Sequence, residues 1–132
     1  MGNKFEPIIM MDIQRYNAER ATLTKKLGNE SISHFKDNWK KHGYDDRVVN
    51  PWKQRKLKDA GRAILVKSGR LRRSFNQFPT LNRTVVENDT PYGVYHNYGT
   101  TKLPQRKFMG RSRNLDEKCG VLIMRMMKKC IR

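Results

Sequence analysis

The stretch that decides the fold is DIQRYNAERATLTKKLGNESISHFKDNWKKH, residues 12 to 42. Its larger apolar residues recur at intervals of three, four, five and seven, namely Ile13, Tyr16, Leu23, Leu27, Ile32, Phe35 and Trp39. This spacing predicts one long amphipathic helix, slightly loosened at Gly28. Basic residues fill its last turn and Gly43 follows, so the helix is expected to end there. So long a helix in so small a chain suggests both a core element and an oligomerisation element.

The size of the chain predicts a single domain, residues 1–132, with residues 1–11 as an N-terminal tail. Only 36% of its residues are hydrophobic and the mean hydropathy is -0.88. Its two Trp, five Tyr, five Phe and seven Met can still fill a modest core. We therefore expect a thin or elongated fold that relies on partner subunits to finish burying its apolar surfaces.

Charge is the strongest compositional feature, because 29 Lys and Arg against 12 Asp and Glu give a formal net charge of +17. Residues 47–83 carry eleven basic residues and one acid, and residues 99–114 carry five and none. Such a chain attracts acidic partners, of which nucleic acid, an acidic protein ring and an anionic membrane are the candidates. Simple solubility is the alternative explanation of the charge.

Residues 44–66 show no periodicity and are predicted to be a long, mobile basic loop. Trp52 lies within it beside Lys53 and Arg55. Three roles fit an aromatic residue in this setting: stacking on a base, packing on a neighbouring subunit, or anchoring the loop to its own core.

The remaining sequence predicts short elements. Ser68 is placed to cap a short helix that holds Leu71, with Gly69 at its entry. Residues 74–78 and 84–87 read as two antiparallel strands joined by a turn. Residues 91–99 favour a short helix that begins after Pro91, and residues 103–108 a last strand at a sheet edge. Asn114 is predicted to start a C-terminal helix that continues to the end of the chain.

The residues that usually carry chemistry form no recognisable catalytic pattern. Cys119 and Cys130 are about 16 Å apart if the C-terminal helix is regular, too far for a disulfide, and are read as small core residues. The three histidines, His34, His42 and His96, have no metal-ligand spacing. The chain also has no phosphate loop or nucleophile elbow, so we expect no cofactor, no metal and no enzymatic activity. A nuclease magnesium site remains a minor alternative, with the acids Asp45, Asp46, Glu87 and Asp89.

No apolar run resembles a secretory signal or a membrane span. The longest near the start, residues 8–11, is interrupted at Asp12. We therefore expect synthesis inside the cell, with reduced thiols and no membrane partner.

The order of several motifs is more informative than any one of them. Ser-Gly-x-Leu-x-x-Ser at residues 68–74 is followed by PYGVYHNYG at 91–99, LPQRKFMG at 103–110 and the C-terminal amphipathic helix. This arrangement resembles the phage virion morphogenesis family, which includes tail-completion proteins of Mu-like phages. The matching positions are Ser68, Gly69, Leu71, Tyr92, Gly93, His96, Asn97, Gly99, Leu103, Pro104, Arg106, Phe108, Met109 and Gly110. Gly93, Asn97, Gln105 and Lys107 depart from the family's usual residues there.

The predicted elements indicate an α+β fold, in which a small, mostly antiparallel sheet packs against the long first helix and the C-terminal helix, with a long basic loop extending from one side. The resemblance implies a structural protein of a phage or prophage that completes the tail or joins it to the head, as a ring and without catalysis. Its partners would be further copies of itself and the tail and neck proteins. It would be found in the bacterial host cytoplasm during assembly and then in the tail or neck of the virion.

The basic segments then suggest which residues meet those partners. The interface candidates are Trp52, Arg106, Lys107, Arg111 and Arg113, with Arg106 the first choice to reach an acid on an adjacent subunit. A non-specific nucleic-acid-binding protein is the alternative from another class, favoured by charge alone.

Overall fold

The computed structural model describes residues 12–54, 64–66 and 69–131. The predicted N-terminal tail, 1–11, lies outside this range, as do Ser68 and residues 55–63 of the predicted loop. The elements in chain order are α1 (Ile13–Lys41), β1 (Gly43–Asp45), β2 (Val49–Pro51), α2 (Arg70–Arg73), β3 (Phe75–Pro79), β4 (Thr84–Asn88), α3 (Gly93–Tyr98) and α4 (Arg113–Cys130). The long first helix packs on α4 and on the β3–β4 sheet, which confirms the predicted α+β class.

The first helix has the predicted bounds. Gly28 was expected to loosen it and Gly43 to end it, but each glycine has a different role. The helix ends because His42 adopts a left-handed conformation, with φ 54°. Gly43 instead allows β2 to approach, since a Cβ at this position would lie 2.5 Å from Asn50 O. Gly28 does not loosen the helix; its missing side chain makes room for Gln77 of β3.

The strands form two separate antiparallel pairs rather than one sheet. The β3–β4 pair runs from Phe75 opposite Asn88 to Pro79 opposite Thr84, so the predicted strands are confirmed to within a residue. The β1–β2 hairpin was not expected, because residues 44–51 were assigned to an irregular loop. Strands of three residues, the second of them exposed, are too short to produce a periodic signal.

Residues 103–108 were predicted to be a strand, and this is wrong. Pro104 has no N–H to donate to a sheet, and Arg106 N, two residues later, donates to His96 O of α3 at 2.9 Å. The stretch from residue 99 to 112, which we call the connector, is therefore an irregular segment that joins α3 to α4.

The last helix begins two residues before the predicted start. Ser112 is its cap, and the Ser112 hydroxyl accepts a hydrogen bond from Leu115 N at 3.2 Å. Asn114 instead donates to the carboxylate of Asp45 at 2.7 Å. The two long helices run antiparallel, because Asp12 N bonds to Cys130 O at 2.8 Å at one end and Ser112 meets His34 at the other.

Two apolar clusters lie along this helix pair. The larger, the aromatic core, contains Phe35, Trp39, Trp52, Ile64, Leu71, Phe75, Phe108 and Leu115. The smaller, the helix seam, contains Leu23, Met126 and Cys130 between α1 and α4 alone. Cys130 is fully buried and Cys119 half-buried, both as free thiols, as the sequence predicted.

Candidate assembly surface

The motif residues of α3 and the connector assemble around one side chain. Phe108 is 1% exposed, and its ring lies 5.5 Å from that of Trp39 and 6.1 Å from that of Phe75. The buried Asn97 holds this position, because its Oδ1 accepts from Phe108 N at 2.9 Å and from Met109 N at 3.2 Å. Asn97 is therefore a fold determinant that substitutes for a neighbouring strand.

The other motif residues support the same arrangement. Leu71 lies in the aromatic core, and Gly93 leaves room for it and for Thr90. The Tyr92 ring meets the edge of His96 at 6.1 Å, and α3 ends at Gly99. The remaining motif glycines, Gly69 and Gly110, both have positive φ, and Pro104 lines a shallow surface depression. These contacts shape the fold.

Trp52 was an interface candidate, and the structure resolves its three alternatives in favour of the core. The residue is 5% exposed, its ring meets Trp39 edge to face at 5.6 Å, and Nε1 donates to Lys107 O at 2.7 Å. An indole with its apolar body buried and its one donor satisfied is not available to a base or a neighbouring subunit.

Arg106 was the first choice for an exposed interface cation, and this is wrong. It is 8% exposed, and its Nε donates to Lys53 O at 2.9 Å. The guanidinium thereby ties the connector to the chain that follows β2. A change of Arg106 to an acid would bury a carboxylate against a carbonyl oxygen, so it would test folding and not assembly.

The remaining interface candidates do reach the surface. Arg111 and Arg113 are exposed, while Lys107 lies over the ring of Tyr44 at 4.6 Å. Arg111 Nε lies 3.9 Å from Asp116 Oδ2, and because 91% of the arginine side chain is exposed this pair contributes little to stability.

The hairpin adds further cations to the same region. Arg113 N bonds to Asp46 Oδ1 at 2.8 Å, and Asn114 Nδ2 bonds to Arg47 O at 3.2 Å, so the hairpin turn lies against the start of α4. Lys53 and Lys102 line one depression beside the connector. We call the resulting surface the basic face; its residues are Arg47, Lys53, Lys102, Lys107, Arg111 and Arg113.

Cations at the start of a helix are unfavourable for that helix. The N-terminus of α4 already carries a partial positive charge, yet Arg111 and Arg113 flank its cap residue. Asp116 in the first turn offsets part of this. The two arginines therefore add no stability to this end of α4.

A buried polar network lies beneath the basic face. Asn38 donates to Phe108 O at 2.9 Å and accepts from Asp45 N at 3.0 Å, which joins α1, the hairpin and the connector. Burial opposes the charge on Asp45, but hydrogen bonds from Lys41 and Asn114 outweigh it and keep the pKa of Asp45 below its usual value.

Ser112 and His34 form a pair in this network that superficially resembles a catalytic dyad, with Ser112 Oγ 3.0 Å from His34 Nε2. Their bonding excludes that role. His34 Nε2 also contacts Asp45 O at 2.9 Å and must carry the proton, while Nδ1 faces the Lys118 ammonium at 3.3 Å. A protonated Nε2 cannot accept the hydroxyl proton, and both residues are almost fully buried. The pair joins α1 to the start of α4.

The other residues that could take part in catalysis or metal binding are His96, Cys119 and the acidic side chains, and their surroundings favour neither role. His96 Nδ1 is buried without a hydrogen-bond partner, and burial together with the nearby Arg106 lowers the pKa of His96. Burial and the nearby Glu30 and Asp116 raise the pKa of Cys119, which disfavours a reactive thiolate. Within residues 12–54, 64–66 and 69–131, no three His, Cys, Asp or Glu residues are grouped as metal ligands, and the four acids proposed for a magnesium site are not brought together.

Comparison with known proteins adds no relative. No protein-family model matches the chain, and neither curated proteins nor solved structures give a significant match. Among the helices in the described part of the chain, none combines the length and apolar character needed to cross a membrane.

Proposed function

We propose that this protein is a structural component of a tailed phage or prophage that completes the tail or joins it to the head. It acts by binding, as a ring of identical subunits, and without catalysis. The basic face meets acidic surface on a neighbouring subunit or on a tail or neck protein. The subunit is made in the bacterial host and remains in the virion.

The observation that carries the proposal is the basic face itself. Two segments of the sequence that are rich in cations converge through three contacts: Trp52 with Lys107 O, Arg106 with Lys53 O, and Arg113 N with Asp46. Exposed pairs contribute about 0 to 1 kcal/mol each, but a ring repeats the contact at every subunit. The order of motifs in the sequence supplies the link to phage assembly.

The test is a phage that carries Arg111→Glu together with Arg113→Glu. Neither side chain packs in the core, and an acid at Arg113 suits the start of α4, so the subunit should fold normally. We expect free tails and unjoined heads to accumulate and the infectious yield to fall at least about tenfold. Electron microscopy of lysates and plaque counts measure this, and circular dichroism checks the purified subunit.

The matched control is Lys25→Glu with Arg83→Glu, which changes the net charge equally at exposed positions outside the basic face. It should assemble normally. Normal joining in the Arg111 and Arg113 variant would contradict the proposed face. Normal particle yields after deletion of the whole gene would contradict the proposed role.

Nucleic-acid binding is the second candidate function, because +17 attracts DNA whatever the protein's role. If assembly is the function, binding to duplex DNA should lack sequence preference and weaken steeply between about 0.05 and 0.2 M salt. Fluorescence anisotropy with two unrelated duplexes measures both properties. A sequence-selective complex that survives the higher salt would favour the nucleic-acid-binding alternative.

A further inference from the structure

The outward side of α4 carries an apolar stripe that packs on nothing in the described chain. The core side of α4 is formed by Leu115, Cys119, Leu122, Met126 and Cys130. The opposite side presents Val121, 50% exposed, and Met124, 59% exposed, which share a shallow groove with Gly120. Spacings of three and four place these residues on one side of the helix.

Gly120 is the second unusual feature of this stripe. Glycine in a helix interior costs about 1 kcal/mol relative to alanine. Crowding does not explain it here, because a Cβ at Gly120 would meet nothing within 4 Å. Among residues 12–54, 64–66 and 69–131 no side chain requires a glycine here, whereas a bare backbone lets another helix approach closely.

The charges that flank the stripe identify what approaches. Glu117 stands at one end of the groove and Lys128 at the other, with Arg125 beside it. The positions are symmetric about a point between residues 122 and 123. In two antiparallel α4 helices centred there, Glu117 lies opposite Lys128, Val121 opposite Met124, and Gly120 opposite Arg125.

We propose that this stripe is a two-fold contact with a second copy of the same chain. The α4 helices pack antiparallel, with the valine and methionine side chains between them and an acid–base pair at each end. Gly120 accommodates the aliphatic stem of Arg125 from the other copy. This contact is self-complementary, as two-fold interfaces require, and does not involve the basic face. It is independent of the proposed phage role, so either can fail alone.

The expected affinity follows from the size of the stripe. From Glu117 to Lys128 the helix is about 16 Å long. A contact along one helix of this length buries less than the roughly 1,200–2,000 Å² of a stable interface. Two subunits of charge +17 also repel each other. We therefore expect a dissociation constant between about 1 μM and 1 mM at about 0.15 M salt, where the repulsion is screened.

Charge reversal provides the decisive experiment, with sedimentation equilibrium of the purified full chain as the measurement. Glu117→Lys places two lysines opposite each other at both ends, and Lys128→Glu places two glutamates there. Each single change should weaken the dimer roughly tenfold. The double variant restores an acid opposite a base and should return to within about threefold of the wild type.

Two further variants test the register and the glycine. Oxidising an equal mixture of Val121→Cys and Met124→Cys subunits should give mainly the mixed disulfide dimer, with wild type as the background control for Cys119 and Cys130. Gly120→Ala should raise the melting temperature of the dilute monomer, because the new Cβ meets nothing, while weakening the dimer. A chain that stays monomeric up to about 1 mM, a dimer that responds equally to one reversal and to both, or an absence of mixed cross-links would each overturn the proposal.

Discussion

The two ends of the α1–α4 pair are built differently. At the aromatic core, helices, strands and the connector surround Trp39, Trp52, Phe75 and Phe108, and buried side-chain hydrogen bonds tie the layers together. At the helix seam, only two helices meet over Leu23, Met126 and Cys130. One end is thus closed on several sides, whereas the other is a single contact between two helices.

The two ends therefore have different roles in the fold. The aromatic core defines how the elements are arranged, because its polar bonds can be satisfied in only one register. The seam extends the subunit with little apolar burial of its own and so depends on the core. We expect local opening to begin at the seam and global unfolding to require loss of the aromatic core.

The largest effect should come from the centre of the aromatic core. Phe108→Ala removes the ring between Trp39 and Phe75 and should lower the free energy of unfolding by about 3–5 kcal/mol. Urea denaturation measures it. Phe78→Ala, at an exposed position on β3, is the matched control and should change stability by less than about 0.5 kcal/mol. Similar losses in both variants would contradict the assignment of the core.

A change at the seam should cost less and act locally. Leu23→Ala should destabilise by about 2–3 kcal/mol, at the low end for leucine, because several residues around the seam are only partly buried, namely Tyr16, Leu27, Leu122 and Met127. Hydrogen exchange should accelerate in the first half of α1 and the last turns of α4, with little change at Phe108. Equal acceleration throughout the fold would show that the two ends form one cooperative unit.

A smaller effect is expected from the polar ties of the core. Asn97→Ala leaves Phe108 N and Met109 N without their side-chain acceptor and should cost about 1–3 kcal/mol. Asn97→Asp keeps an acceptor oxygen in place and should cost less than the alanine variant. Thermal melts of the two variants decide this, and a reversed order would mean that the amide group matters for another reason.

The smallest effect should be the pH response of His96. Its pKa in the folded state is lowered, so the unfolded chain binds the proton more readily around its ordinary value of about 6.5. The free energy of unfolding that depends on neutral His96 is therefore fully present above about pH 6.5 and is lost as the pH falls below that value. Between pH 7 and about pH 5.5, wild type should therefore lose more stability than His96→Gln. Equal losses in paired urea titrations would contradict the assignment.

The elements with strong local signals could be predicted from the sequence. The first helix has a long apolar periodicity, and the β3–β4 strands are marked by alternation and a turn. The start of α4 was placed two residues late, because Ser112 and Asn114 are both good caps and only the tertiary contact of Asn114 with Asp45 distinguishes them. The β1–β2 hairpin is held by the pairing of its two short strands and by the burial of Tyr44. Neither feature leaves a periodic pattern in the sequence.

The candidate surface was predicted only in part, for a related reason. Arg111 and Arg113 are exposed, as an interface requires, whereas the burial of Arg106 was not expected. Trp52 follows one of its three predicted alternatives and packs in its own core. A basic residue in a basic segment is expected to be exposed. The burial of Arg106 depends on tertiary partners such as the carbonyl of Lys53, 53 residues away in sequence, which local sequence does not reveal. His34 and Ser112 were missed as partners because 78 residues separate them.

The hydrogen bond between Asp12 N and Cys130 O has a topological consequence. The chain enters and leaves the described fold at the same place, so the two ends could be joined by a short peptide with little strain. New ends could then be opened between Leu81 and Asn82, in the exposed turn after β3. Such a circular permutant would keep every contact of the aromatic core while closing the helix seam covalently. It would also move any attached label from the seam end of the molecule to the tip of the β3–β4 hairpin.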